Sequence, residues 1–328
     1  MAGAFSGLRF LDLSRLLPGP YCSLLFADLG AEVIKVEEPG RGDYARRTPP
    51  FWGDSDVGAY FLLLNRNKKS ISIDLKAEAG KAVFRRLVRH GGRAPRELPS
   101  GRHGPARPRW EALRAENPAL VYCAISGYGQ DGPYRNLVGH DVNYMGYAGA
   151  LSVTGLRDGA PLTPGVQVAD LGGGALMAAF AIAAALHHRR ESGQGQLVDV
   201  SMTDGVVSWL IPHLAAYFAT GRVPELGQER LNGGWPCYGV YETADGGHVT
   251  LGRARAAVLG ELLPARRPRG SPGPPARQGR RRAIGSRQSC ASSSGRARAP
   301  RGSSSSSRPM SARARCSGWT RSSGTPSS

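Results

Sequence analysis

Residues 8–36 restrict the possible folds more than any other stretch of this chain. A short apolar run from Leu8 to Leu13 is broken by Leu17-Pro18-Gly19-Pro20. Apolar residues then fall at helical spacing from Tyr21 to Leu29, Gly30 stands where a helix would end, and a second apolar run covers Ala31 to Val36 before Glu37, Glu38 and Pro39. Proline cannot continue a buried strand, and glycine takes the left-handed cap of a helix at no steric cost. The pattern therefore reads strand, helix, strand. A helix between two strands makes them parallel neighbours with a right-handed crossover.

The rest of the first two hundred residues repeats the alternation. A strand is expected over 70–75, an amphipathic helix over 78–89, a helix over 110–117 and a strand over 120–126. A long helix follows over about 171–188, and a strand over 197–201. This is an α/β chain with a Rossmann-like, doubly wound parallel sheet over 1–200. A linker helix and the start of a smaller second domain follow over 201–252, where Tyr238–Gly252 reads as a hairpin turning at Ala244-Asp245-Gly246-Gly247.

The first turn is not a dinucleotide loop. It reads Ser-Arg-Leu-Leu-Pro-Gly-Pro, without the GxGxxG pattern that brings backbone against a pyrophosphate, although Glu37 stands where a ribose would be held. Arg41, Arg46, Arg47, Arg66, Lys68 and Lys69 cluster nearby in sequence. They suit a phosphate-bearing ligand or, more simply, a solvated surface.

The net charge of +18 is not spread evenly. From Arg253 to the end there are 17 arginines and one acid, Glu261, and residues 91–109 add five arginines against Glu97. The remainder is nearly neutral. Both basic stretches use Arg, Pro, Gly, Ala and Ser without apolar periodicity, so neither is expected to pack a core, and 253–328 reads as a disordered tail. An RNA-binding tail would explain the arginines but lacks aromatic interleaving beyond Trp319. An out-of-frame stretch of a GC-rich gene explains the alphabet better. Read one base later, Arg96–Gly104 permits ESFRPGVM and Arg255–Leu262 permits EPQFWES, both ordinary folded-protein sequence.

Five widely separated cysteines show neither disulfide nor metal-ligand spacing, which points to a reduced, cytoplasmic setting and no metal. The longest apolar run, Ala175–Leu186, is short for a bilayer, and the first residues lack a signal-peptide pattern.

Two places carry chemistry. Gly139-His140-Asp141-Val142-Asn143-Tyr144 puts a histidine and an acid in a loop after Gly127-Tyr128-Gly129, and imidazole suits proton transfer near neutral pH. Val168-Ala169-Asp170-Leu171-Gly172-Gly173-Gly174 puts Asp170 at or near a helix N-cap, with three glycines that would let a ligand approach the backbone. Each has an ordinary structural reading, a core histidine and a capping aspartate. Read as function, His140 and Asp170 form an acid/base pair. Asp199, Asp204 and Glu242 are read as structural.

Six stretches together resemble the family III CoA-transferase superfamily, and within it the α-methylacyl-CoA racemase branch. They are LDLSRLLPGPYCSLLFADLGAEVIKVE at 11–37, NRNKKSISIDLK at 65–76, SGYGQDGP at 126–133, GHDVNY at 139–144, ADLGGG at 169–174 and GQGQLVDVSMTDG at 193–205. The resemblance implies a Rossmann-like large domain, a small domain and an interlocked homodimer. It makes Asp170 the match to the family's essential aspartate, which in the transferases attacks an acyl-CoA to form an anhydride and then carries CoA as a thioester. In the racemases it pairs with the histidine of GHD, here His140, to exchange the C2 proton of a 2-methylacyl-CoA through an enolate thioester. Leu17, where transferases carry glutamine, agrees with the racemase branch. Coenzyme A enters as part of the substrate, with no permanently bound cofactor, and by position would meet Val36, Glu37, Arg41, Asp74, Leu75 and Lys76. The family's ESFRPG segment and its EPxFW glutamate are absent as written, at the two places where the shifted frame permits them. The resemblance therefore implies an acyl-CoA racemase or a CoA-transferase whose activity is impaired in this chain. A nucleic-acid-binding role through the tail is a separate alternative.

Overall fold

The computed structural model describes residues 3–89, 97–100 and 110–252. The arginine-rich tail 253–328, and most of 91–109, lie outside the described residues. The chain divides into two units. The first comprises the residues up to Leu151 and Thr163–Leu214; the second comprises Ser152–Leu162 and the residues from Ala215 onward.

In the first unit, β1 (Arg9–Asp12), β2 (Glu32–Glu37) and β3 (Lys68–Ser72) form one parallel ladder in the order β1-β2-β3. A second parallel ladder joins β4 (Glu97–Ser100), β5 (Val121–Ser126) and β6 (Leu197–Ser201). β1 lies alongside β4, so the strands follow one another 3-2-1-4-5-6, the doubly wound order that places ligands where it reverses, between β1 and β4. β4 falls inside the arginine-rich stretch 91–109, where composition pointed to no core element. The neighbouring strand's backbone supplies its pairing, from Glu97 opposite Val121 to Ser100 opposite Ala124.

The helices cover both faces, and the pleat sorts the core accordingly. In β5, Val121, Cys123 and Ile125 face one core with Phe10, Phe26 and Ile182; Tyr122 and Ala124 face the other with Leu11, Phe84, Val88 and Leu113. The first core lies under α1 (Pro18–Asp28) and the long helix that ends as α6 (Met177–Ser192). The second lies under α3 (Glu78–Arg89) and α4 (Trp110–Glu116). Phe10, Leu11, Leu113, Leu120 and Ile182 are completely buried, each contributing about 1.5–3 kcal/mol of transfer free energy. Between α1 and β2, Gly30 takes φ +96°, the conformation a terminating glycine allows. β3 begins two residues earlier than the apolar pattern suggested, because Lys68 and Lys69 join the ladder opposite Val33 and Ile34.

Val168–Ser192 is one continuous helical stretch. By length and apolarity alone it could cross a membrane, and it is longer than the run that the composition singled out. Ala169, Gly172–Ala175, Ala178, Ile182 and Ala185 on it are buried in the first core, which is how a core helix of an α/β sheet meets the same test. Its first nine residues, Val168–Leu176, form a wide π-type turn ending on α6. β6 leads into α7 (Met202–Trp209), capped by the Ser201 hydroxyl, which accepts from the Asp204 N–H at 3.2 Å. α8 (Ile211–Thr220) follows. In the second unit, β7 (Tyr238–Glu242) and β8 (His248–Gly252) make the expected antiparallel hairpin.

Candidate functional site

Asp170 is held in the first turn of the wide helical segment, and α5 (Asp141–Tyr147) begins immediately after His140. The two segments meet through one hydrogen bond: the Asp170 N–H donates to the Asp141 carboxylate at 2.9 Å. The Asn143 side chain accepts from the His140 N–H at 3.0 Å, and the His140 carbonyl accepts from the Asn143 and Tyr144 N–H groups. The histidine side chain is exposed and Asp170 is half-buried. Burial pushes the Asp170 carboxyl up to about 6; the Asp141 carboxylate adds to the rise and His140 opposes it. A carboxyl so placed is ionised at pH 7 yet close enough to its titration point to return a proton.

Asp170 lies in the first turn and is not the N-cap, which is Gln167, and the glycines after it serve packing. A Cβ on Gly172 would lie 1.7 Å from the Trp209 ring, and one on Gly173 would lie 2.5 Å from the Met202 carbonyl. Gly205 of α7 faces them, where a Cβ would meet the Gly173 carbonyl at 2.2 Å. The bare backbone thus lets α7 approach closely, correcting the expectation that it is open to a ligand.

Tyr60, which senses the Asp170 charge, lies on α2 (Ala59–Asn65), packed against the 3₁₀ turn Tyr44–Arg47. The Tyr60 hydroxyl is pushed up to about 12, first by burial and then by the Asp170 carboxylate, with Asp43 and Tyr44 adding to it. Sequence offered no signal for Tyr60. Asp141 was visible beside His140, and its contact with Asp170 was not.

In the same unit, two acids and two lysines are buried together. Lys68 Nζ lies 3.2 Å from Asp12 and Lys35 Nζ lies 2.9 Å from Asp43, each side chain almost fully enclosed. Asp12 also accepts from the Ser14 N–H at 2.9 Å and the Ser23 hydroxyl at 2.6 Å, and Lys35 donates to the Ser14 carbonyl at 3.0 Å. Burial alone would raise the Asp12 carboxyl, but Lys68, Lys35 and the two hydroxyls outweigh it and hold it far below the usual carboxylate range.

The positions expected to meet coenzyme A divide between surface and core. Glu37 and Arg41 line a cleft of about 380 Å³ with Glu38, Gly42, Arg46 and Ser70. Lys76 pairs with Glu38 at 2.9 Å and its N–H donates to Asp74, so 74–76 adjoin this cleft through Glu38. Val36 is buried and Leu75 packs against the same core, so neither side chain faces the cleft. Glu37 is saturated. Oε1 accepts from Arg46 at 2.7 Å and Ser70 at 2.6 Å, and Oε2 from Arg46 at 2.8 Å and the Asp43 N–H at 2.9 Å. Burial would raise its carboxyl, yet these donors hold it down at about 2. The basic cluster is largely committed too. Arg46 also stacks on Phe61, Arg66 pairs with Asp28, Lys69 with Glu32, and Arg47 donates to the Gly40 carbonyl. Among the described residues, the Arg41 guanidinium makes no ion pair. Three or more His, Cys, Asp or Glu side chains do not gather as a metal site among the described residues.

The profile of CoA-transferase family III matches residues 5–282. The chain belongs to that family. A succinate–glutarate CoA-transferase of Agrobacterium fabrum is 40% identical over 249 residues, covering 74% of this chain and 61% of the relative. Human alpha-methylacyl-CoA racemase is 36% identical over 255 residues, covering 76% of this chain and 61% of the relative. The chain thus spans about three fifths of the length of these curated family III relatives. A crystal structure of a CAIB/BAIF family protein from Brucella suis matches with a TM-score of 0.69 and 32% identity. That match covers 80% of this chain and 69% of the solved one.

Proposed function

We propose that this family III chain derives from an acyl-CoA enzyme that moves a proton at C2 of a 2-methylacyl-CoA. The observation that carries this reading is the Asp170 carboxyl, raised to about 6 beside His140 and Asp141. A base that attacks carbon-bound hydrogen at neutral pH works best with its pKa near that pH. Asp170 takes the C2 proton, and the electron pair moves into the thioester carbonyl as an enolate. His140 returns a proton to the opposite face. Arg41 offers an uncommitted cation to the phosphates of coenzyme A in the cleft below. The exposed aromatic rings of Phe180 and Trp209 support a homodimer of the family's kind. The absent ESFRPG and EPxFW segments support impaired turnover, and the shifted reading frame at 91–109 and from 253 onward remains our account of both stretches. The RNA-binding alternative rests on the tail alone.

A transferase reading has its own support in the similarity to the Agrobacterium fabrum relative, with Asp170 as nucleophile. Incubation of the purified 328-residue chain with a 2-methylacyl-CoA in D₂O separates the two. Deuterium entering C2 without a carboxylate acceptor supports proton transfer, and CoA exchange that requires an acceptor acid supports transfer. Wash-in unaffected by Asp170→Asn would overturn its role as base, and acceptor-dependent CoA exchange unaffected by the same change would overturn its role as nucleophile.

A further inference from the structure

We infer that Tyr144 is a positioning residue, which fixes the His140–Asp141 pair through its hydroxyl; this rests on the acid/base reading above. Tyr144 is buried on α5, and its hydroxyl donates a hydrogen bond to the carbonyl of Gly139, the residue just before His140. Its ring fills the space on both sides of that loop. A Cβ on Gly127 would come within 2.3 Å of the Tyr144 ring, and one on Gly139 within 2.7 Å. The two glycines therefore close on a single aromatic ring, joining the end of β5 to the start of α5.

The frame extends on either side. The Gly127 carbonyl accepts from the Thr203 hydroxyl at 2.7 Å and the Thr203 N–H at 3.1 Å, which ties it to α7. Tyr128 packs edge-on against the Tyr144 ring at 5.3 Å between centroids. Asp141, two residues along from Gly139, holds the Asp170 N–H. The Tyr144 hydroxyl thus lies one peptide from His140 and two from the residue that grips Asp170. A donor in this place sets where the imidazole and the carboxyl sit without entering the chemistry, and small displacements of such groups cost rate more than binding.

The test compares wild type with Tyr144→Phe, which removes one oxygen and keeps the ring, and with Gly139→Ala, which keeps the hydroxyl and pushes the loop off the ring. C2 deuterium exchange is followed against substrate concentration and pH, and the His140 imidazole signal, assigned with His140→Ala, is followed by NMR. We expect kcat to fall roughly tenfold in both variants with KM within about twofold, a fraction of what a placed acid or base contributes. We also expect a displaced His140 titration curve. Wild-type kcat, pH profile and His140 titration in Tyr144→Phe would overturn the proposal. Should Tyr144→Phe fail to fold, unchanged kcat and titration in Gly139→Ala would overturn it equally. Absence of exchange in wild type would accord with the impaired turnover proposed above, and the His140 titration in the two variants would then by itself decide the role of Tyr144.

Discussion

The Asp170 N–H points at the Asp141 carboxylate, 2.9 Å away, so two acids from separate elements share one small volume. That proximity is one cause of the raised Asp170 carboxyl. Replacing Asp141 by Asn keeps an oxygen to accept the N–H and removes the charge. The expected outcome is an acid limb of the exchange rate that moves to lower pH, measured as a pH–rate profile from 4 to 9. An unmoved limb would contradict the assignment.

Asp170 itself is strained electrostatically. Its folded pKa lies above the unfolded one, so protonation stabilises the fold below the ordinary carboxylate range, and that contribution is lost as pH rises through about 6. Asp170→Asn should therefore be more stable than wild type at pH 7, by on the order of 1–3 kcal/mol, and no more stable at pH 4. Urea unfolding at the two pH values checks both halves, while C2 exchange is expected to vanish.

Asp12 has the opposite sign. Its depressed carboxyl contributes stability above the ordinary carboxylate range, and this is lost as pH falls below it. Asp12→Ala leaves Lys68 buried without its carboxylate and should cost about 3–5 kcal/mol, read from the urea midpoint at pH 7. A loss below about 1 kcal/mol would mean that the buried quartet is not held as described.

Gly173→Ala and Gly205→Ala should each separate α7 from the wide helical turn, because the new carbon would sit 2.5 Å and 2.2 Å from backbone carbonyls. A loss of about 1–3 kcal/mol or more is expected. Gly132→Ala meets no neighbouring atom within 4 Å and should cost only the strain of its φ of +76°, about 1 kcal/mol. Thermal melts of the three variants give the ranking.

Arg41→Ala should weaken coenzyme A binding severalfold and leave the melting temperature unchanged, since among the described residues its guanidinium makes no ion pair. Calorimetric titration with coenzyme A and with dephospho-coenzyme A measures the effect. Equal affinity of wild type and variant for both would remove Arg41 from the site.

The sheet and its helices were legible because their apolar residues recur at periods of two and near four. β1, β2, β5 and β6 came within two residues, and the helix over 78–89 was found with its observed ends. Asp170 and His140 were visible as residue types in glycine-flanked turns. Their link through Asp141 was not, because a contact between residues 29 apart depends on how α5 and the wide turn pack. Tyr60 escaped for the same reason, and β4 because strand pairing needs only backbone. The role of Gly172–Gly174 was misjudged because glycine serves a close helix and a close ligand equally well, and only the position of Trp209 decides between them.

Glu37 ends the second strand of a sheet wound like a dinucleotide binder, at the very spot from which an acid would grip a ribose diol. Four donors already occupy its two oxygens, which is all that a carboxylate can take. The hook is tied off by the protein's own chain. A nucleotide entering this edge finds no acceptor left on Glu37 for its sugar, and meets Arg41, which makes no ion pair among the described residues.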